Sequence, residues 1–164
     1  MSIKSKSSVI ATAAVALALL AGCSSSTTEA ASDPTTTTAA AATCTATPIT
    51  DEALQSAVAG AALPEGVVIV SGVNQKNIEH PGTQDIIVRV CKPGLTGNAL
   101  KDVATELARS IKASPLQVQT MRVTNTAEES SPEGKVRCED FPARTFSAEA
   151  DPGAVRTSWK YPSQ

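Results

Sequence analysis

Apolar residues recur along this chain with the spacing of helices in some segments and of strands in others. The clearest helix lies near the middle, where apolar positions recur every three to four residues and would form one continuous face. These positions are Leu100, Val103, Ala104, Leu107 and Ile111. The polar residues between them predict a solvated opposite face. Thr96 or Asn98 is the expected N-cap of this helix, and Pro115 is expected to end it.

Runs rich in β-branched residues predict strands on both sides of this helix. Two of them, Val67–Val70 and Ile86–Val90, come before it, and two others, Leu116–Val123 and Lys135–Phe141, come after it. A last short strand is expected within Ala154–Tyr161.

A shorter helix is predicted ahead of the first strand. Thr50 is its candidate cap, Asp51 and Glu52 place negative charge in the first turn, and Ala53–Ala62 are good helix formers. The resulting order, α-β-β-α-β-β, predicts an α+β fold. We expect a small two-layer sandwich with a mostly antiparallel sheet of four to five strands and two helices on one face. This element order, though not its glycine and hydrophobic pattern, resembles that of BON domains, bacterial envelope modules associated with phospholipid surfaces.

The N-terminal residues predict export. Lys4 and Lys6 precede the uncharged run Val9–Leu20, which is too short for a transmembrane helix of about twenty residues and fits a signal peptide. The run ends in Leu20-Ala21-Gly22-Cys23, which resembles the lipobox of bacterial lipoproteins. That resemblance implies cleavage before Cys23 and a diacylglyceryl group, with palmitate-like acyl chains, on its thiol. Two acyl chains are sufficient to hold a protein on a membrane, here on the outer, extracytoplasmic face of the cell membrane.

The chain is therefore expected to consist of three parts. Residues 1–22 form the signal peptide, residues 23–43 the lipidated cysteine with a disordered tether, and residues 44–164 a single α+β domain. The tether is almost wholly Ser, Thr and Ala, so it has no large apolar side chains whose burial would offset the entropy of ordering it. As a coil of about twenty residues it would span roughly 25 Å. Its run of four threonines, Thr35–Thr38, is a candidate for O-linked sugar.

The net charge of the chain bears on which partners it can bind. The net charge is -2, and loss of Lys4 and Lys6 with the leader leaves 12 basic against 16 acidic residues, a net charge of −4. Binding to nucleic acid or to anionic lipid head groups needs clustered Lys and Arg. The sequence therefore predicts binding to neither of these partners. The expected partners are the membrane, through the lipid anchor, and an envelope protein or a cell-wall component.

The sequence contains no recognisable catalytic, cofactor or metal motif. His80 is the single histidine and lies in the turn His80-Pro81-Gly82, so it offers neither a set of metal ligands nor a base beside a nucleophilic serine. We predict a non-enzymatic binding or scaffolding module of the cell envelope. Two alternatives stay open: a carrier of an apolar ligand or lipid, and a cell-envelope hydrolase whose site has no known motif.

Three cysteines follow the lipobox and are expected to oxidise outside the cytoplasm. Cys91 and Cys138 lie in predicted strands, so a structural disulfide between them is favoured. Cys44–Cys138 and Cys44–Cys91 are the alternatives. The favoured pair carries a conflict, because Cys91 alternates against its apolar neighbours whereas Cys138 shares a face with Val136. It requires one cysteine on an unexpected face, or a bulge in the second strand.

Arginines in the predicted strands are the candidate ligand-facing residues. Arg89, Arg122 and Arg137 lie in three different strands, and Arg144 follows the last of them. If the strands pair, these side chains can gather on the open sheet face as a site for an anion or a carboxylate. The alternative is that they only decorate a solvated surface.

Overall fold

The computed structural model describes residues 43–162. Its elements, in chain order, are helix α1 (Glu52–Ala59), strands β1 (Val68–Lys76) and β2 (Gln84–Cys91), helix α2 (Gly97–Lys112), strands β3 (Val118–Asn125) and β4 (Lys135–Cys138), and helix α3 (Pro152–Arg156). The predicted signal peptide, Cys23 and all of the tether except Thr43 lie outside the described residues. None of the helices in residues 43–162 combines the length and the hydropathy that a membrane crossing requires.

The four strands form one mixed sheet in the order β1-β2-β3-β4. Strands β1 and β2 pair antiparallel, as do β3 and β4. Strands β2 and β3 run parallel, because α2 carries the chain back along the sheet between them. The predicted α+β class, with a mostly antiparallel sheet of four strands and helices on one face, is confirmed.

The core lies between the helices and one face of the sheet. All five apolar positions of the α2 stripe are buried, as their periodicity predicts. They pack in one cluster with the inward-facing residues of the two central strands, which are Ile86, Val88, Val90, Met121 and Val123. The outward positions Ile87, Arg89 and Arg122 between them are half-buried or exposed, so this part of the opposite sheet face is open to solvent. Cys91 and Thr124, farther along the same strands, are buried at 2% and 5% exposure.

Helix α1 is capped by Asp51, one residue after the predicted Thr50. One carboxylate oxygen of Asp51 accepts a hydrogen bond from the Leu54 N–H at 2.8 Å, and the other accepts one from Asn74 Nδ2 at 2.8 Å. The Leu54 bond is the main reason that the pKa of Asp51 lies below its ordinary value of 3.8. Because Asn74 belongs to β1, the cap also ties α1 to the first hairpin.

The polar side of α2 holds the C-terminal segment rather than facing only solvent. Arg156 donates two hydrogen bonds to the Asp102 carboxylate, at 2.7 and 2.6 Å. Trp159 Nε1 donates to Thr105 Oγ1 at 3.0 Å, and the indole is buried in the core. The expected solvated face is therefore partly a packing surface.

This packing replaces the last predicted strand. Helix α3, Pro152–Arg156, forms where a strand within Ala154–Tyr161 was expected. Helix α3 is capped in the same way as α1. The Asp151 carboxylate accepts a hydrogen bond from the Ala154 N–H at 2.7 Å. Only Lys160 of the predicted strand pairs with the sheet, as an isolated bridge to Arg137.

The disulfide joins Cys44 to Cys91, with a Cα–Cα distance of 5.5 Å. The favoured Cys91–Cys138 pairing is wrong because the two side chains lie on opposite faces of the sheet. Cys138 pairs with the buried Met121 and faces the core, whereas Cys91 pairs with Val68 on the other face. Strand β3 also separates their strands by two spacings, about 10 Å, beyond the roughly 7 Å that a disulfide reaches.

Digestion of the non-reduced protein should therefore release one linked peptide pair, containing Cys44 and Cys91. Loss of the bridge through Cys44→Ser should lower the free energy of unfolding by up to about 4 kcal/mol, because the bridge closes a loop with a sequence separation of 47. Chemical denaturation of the oxidised proteins measures this loss. Cys138→Ala is the control for the mapping and should leave the linked pair unchanged. A linked peptide containing Cys138 would contradict the pairing.

Candidate functional site

The open sheet face carries the three arginines singled out from the sequence. Strand alternation places Arg89 on β2, Arg122 on β3 and Arg137 on β4, each next to buried residues that face the core. Arg89 and Arg122 are exposed, and the Arg137 side chain is 38% exposed. The structure thus brings these three residues onto one surface. Arg144 lies elsewhere, in the loop that follows β4.

The strand register produces one continuous line of side chains across the sheet. Val73 pairs with Ile87, Ile87 with Arg122, and Arg122 with Arg137. Arg137 in turn exchanges two backbone hydrogen bonds with Lys160, at 2.8 and 2.9 Å. We call these five residues the cross-sheet row. The row changes from apolar at the β1 end to cationic at the other end, and its four strand spacings extend over about 19 Å.

Two lysines that were not predicted enlarge the positive surface. Lys135 pairs with Thr124, which pairs on its other side with Arg89, so a second line of cations lies beside the first. We call Arg89, Arg122, Lys135, Arg137 and Lys160 the cationic patch. Lys135 was detectable from its alternation with Val136 in β4. Lys160 was not, because it reaches the patch only when the C-terminal segment returns to the edge of the sheet.

Most of the charge on the cationic patch is uncompensated. Within residues 43–162, the side chains of Arg89, Arg122 and Lys135 make no hydrogen bond or ion pair. Arg137 and Lys160 share the exposed carboxylate of Glu139, at 3.6 and 3.9 Å. Such long, exposed contacts contribute little. The arginines of the helical layer differ, as the pairing of Arg156 with Asp102 shows.

Arg122 and Arg137 form a like-charge pair directly across two antiparallel strands. Side chains in this relation have Cβ atoms about 5 Å apart, and like charges there destabilise a sheet by roughly 0.2–1 kcal/mol. The same register places two arginine side chains next to each other on one face. Each can bind a carboxylate or phosphate through two parallel N–H donors. An anion bound between them would relieve the repulsion.

A groove of about 500 Å³ borders the patch near Arg137 and includes residues of the β1–β2 loop. Its floor is fixed by Asp85, whose Oδ1 accepts hydrogen bonds from Asn77 Nδ2 at 2.8 Å and Thr120 Oγ1 at 2.7 Å. Its rim carries His80, whose backbone N–H donates to Asn77 Oδ1 at 2.7 Å, a contact within the turn. The groove lining carries both signs of charge. The excess of positive charge therefore lies outside the groove, on the sheet face itself.

Other candidate chemistry is placed away from this face. Cys138 lies inside the core, where burial raises the pKa of its thiol, so that it stays protonated and weakly nucleophilic at neutral pH. In residues 43–162 no three His, Cys, Asp or Glu side chains are grouped so that they could hold a metal ion.

No family model, no curated protein and no solved structure matches this chain.

The like-charge pair has a measurable consequence for stability. Arg122→Gln should leave the free energy of unfolding unchanged, or raise it by up to about 0.5 kcal/mol at low ionic strength, because the repulsion from Arg137 is removed. The gain should shrink as salt is added. Arg156→Gln is the contrasting variant and should destabilise, because Asp102 loses its bidentate partner. Denaturant titration of both variants measures the effects. Equal losses would show that the Arg122 side chain supports the fold.

Proposed function

We propose that this chain is a lipid-anchored, extracytoplasmic protein of the cell envelope whose domain binds an anionic partner without catalysing a reaction. The observation that carries this proposal is the gathering of Arg89, Arg122 and Arg137 on one exposed face. Two of them, Arg89 and Arg122, have no side-chain partner in the part of the chain that the structure describes. Unpaired guanidinium groups on adjacent strands favour carboxylate or phosphate groups as ligands.

The anchor and the location are supported by two independent features. The first is the match of Leu20-Ala21-Gly22-Cys23 to the lipobox. The second is the disulfide between Cys44 and Cys91, since such bonds persist in oxidising compartments outside the cytoplasm. On this proposal a tether of about twenty residues keeps the domain within roughly 25 Å of the membrane surface.

The negative net charge of the chain does not oppose anion binding at this face. A ligand responds to the local field, and the sheet collects cations that are scattered along the sequence. Cations that are not clustered in the sequence can therefore form a local positive surface once the strands pair. Nucleic acid is not the partner that we propose, because strands β1 to β4 contain no aromatic residue on which bases could stack.

An apolar carrier is the less favoured alternative. The space between helices and sheet is filled by the protein's own side chains, and Leu54, Ile86 and Leu107 there are 0–1% exposed. A ligand in this layer would have to displace well-packed core residues, which costs several kcal/mol for each large side chain. No described constellation favours the hydrolase alternative over binding.

The anchor is tested by Cys23→Ala. The wild-type protein should be cleaved and should partition into the detergent phase with the membrane, because two acyl chains anchor it stably. The variant should accumulate as an uncleaved precursor or be shed into the aqueous phase. Cys138→Ala is the control and should behave as wild type. Equal membrane retention of the Cys23 variant and wild type would overturn the lipid anchor.

The binding face is tested with polyglutamate and with inorganic polyphosphate as separate probes. Arg122→Gln should weaken binding of whichever probe binds by about tenfold at low salt, since a hydrogen-bonded charge is removed from the face. Arg144→Gln removes the same charge from an exposed loop off the sheet and should change affinity by less than about twofold. Titration by fluorescence anisotropy at two salt concentrations measures both. Equal weakening by the two variants would mean that the sheet face is not the site.

A further inference from the structure

The cross-sheet row is apolar at one end and cationic at the other, whereas the cationic patch consists only of basic residues. At one end Val73 is 41% exposed and lies beside the half-buried Ile87. Beyond them the same line continues as Arg122, Arg137 and Lys160. Val73 and Ile87 thus form an apolar end of a row whose other three members are cations.

From this division we infer that the row docks an extended segment of a partner protein in which apolar residues are followed by acidic ones. The inference rests on the proposed function and narrows its partner. A polyphosphate or a uronic acid polymer would match only the cationic half of the row. A protein segment supplies both chemistries in one strand of chain, with the apolar side chains over Val73 and Ile87 and the carboxylates over Arg122 and Arg137.

The length of the row sets the length of the segment. Its span of about 19 Å corresponds to roughly six residues of extended chain. The carboxylates of such a segment would compete with Glu139 for Arg137 and Lys160. Glu139 is 56% exposed and holds these cations only at 3.6 and 3.9 Å, so its displacement is easy.

The segment would lie over the face rather than extend the sheet. On the outer side of β1, the Val70 carbonyl already accepts a hydrogen bond from the Thr47 N–H at 2.6 Å. On the outer side of β4, Arg137 exchanges both of its backbone hydrogen bonds with Lys160. The β4 edge is therefore occupied at the row itself, and the β1 edge three residues before Val73. Because the row crosses the strands rather than following one edge, a segment lying along it contacts side chains on the face.

The test uses three synthetic capped peptides of about eight residues and the mature full-length protein. The first peptide has valines in its N-terminal half and glutamates in its C-terminal half, the second has the same residues interleaved, and the third is oligoglutamate. The protein variants are Arg122→Gln and Val73→Thr. Their matched controls are Arg144→Gln, off the sheet, and Val68→Thr, which is similarly exposed at 38% but outside the row. Affinity is measured by anisotropy, and the site by amide chemical shifts.

The divided peptide should bind at least about fivefold more tightly than the other two peptides. Arg122→Gln should weaken it by about tenfold and Val73→Thr by about threefold, with changes below about twofold for both controls. Shifted amides should include those of Val73, Ile87 and Arg122.

Two different failures are distinguishable. If oligoglutamate binds as tightly as the divided peptide and Val73→Thr has no effect, the protein-segment inference is overturned while anion binding stands. Controls that weaken binding as much as the row variants overturn the inference in the same way. If neither the peptides nor polyphosphate bind, the proposed anion-binding function is overturned as well. The same holds if both kinds of probe bind independently of Arg122.

Discussion

The side chains of Leu100, Leu107 and Ile111 on α2 are fully buried in the same cluster as Ile86 and Val88 of β2 and the inward residues of β3. This contact determines the arrangement of the strands. Because α2 links β2 to β3 across one face of the sheet, the two strands run parallel at its centre. Strands β1 and β4 then add on either side as antiparallel neighbours. The parallel direction of the two central strands therefore follows from the crossover through α2.

Because the helices pack on one face only, the two sheet faces contribute differently to the free energy of folding. Burial of each large aliphatic side chain on the inner face contributes roughly 1.5–3 kcal/mol. Repulsion between Arg122 and Arg137 on the outer face costs at most about 1 kcal/mol. The inner face can therefore hold the sheet together while the outer one retains charges without partners. A cationic surface is compatible with this fold because the repulsion between its charges costs less than burial on the inner face contributes.

Much of the fold follows from local periodicity. The α2 stripe and the alternation in Lys135-Val136-Arg137-Cys138 are properties of short segments, and both have the predicted buried faces. Alternation also placed Arg89, Arg122 and Arg137 where strand pairing could gather them. What local periodicity cannot supply is the order of the strands. That order makes Arg122 and Arg137 direct neighbours and separates Cys91 from Cys138.

The remaining errors come from contacts between distant segments. Helix α3 has its own local signals, with Asp151 as cap and Pro152 in the first turn. A strand within Ala154–Tyr161 was predicted from the sequence instead. Trp159 is buried by its contacts with the α2 layer, and Lys160 meets Arg137 only because that packing brings the chain end back to β4. A cation placed by tertiary packing has no signature in its own segment.

The disulfide connects the beginning of the domain to the strand that also carries part of the cationic patch. Cys91 follows Arg89 by two residues and lies on the same face, and Cys44 is bonded to it. The segment after Cys44 packs against β1, where a Cβ at Gly72 would lie only 2.9 Å from Ile49 Cδ1, so a larger residue there would require the Ile49 side chain to shift. On the lipoprotein that we propose, tension between the membrane and a bound partner would enter at Cys44. The covalent path leads from there directly into β2, which carries Arg89, so the load would bypass the non-covalent contacts of α1 and β1.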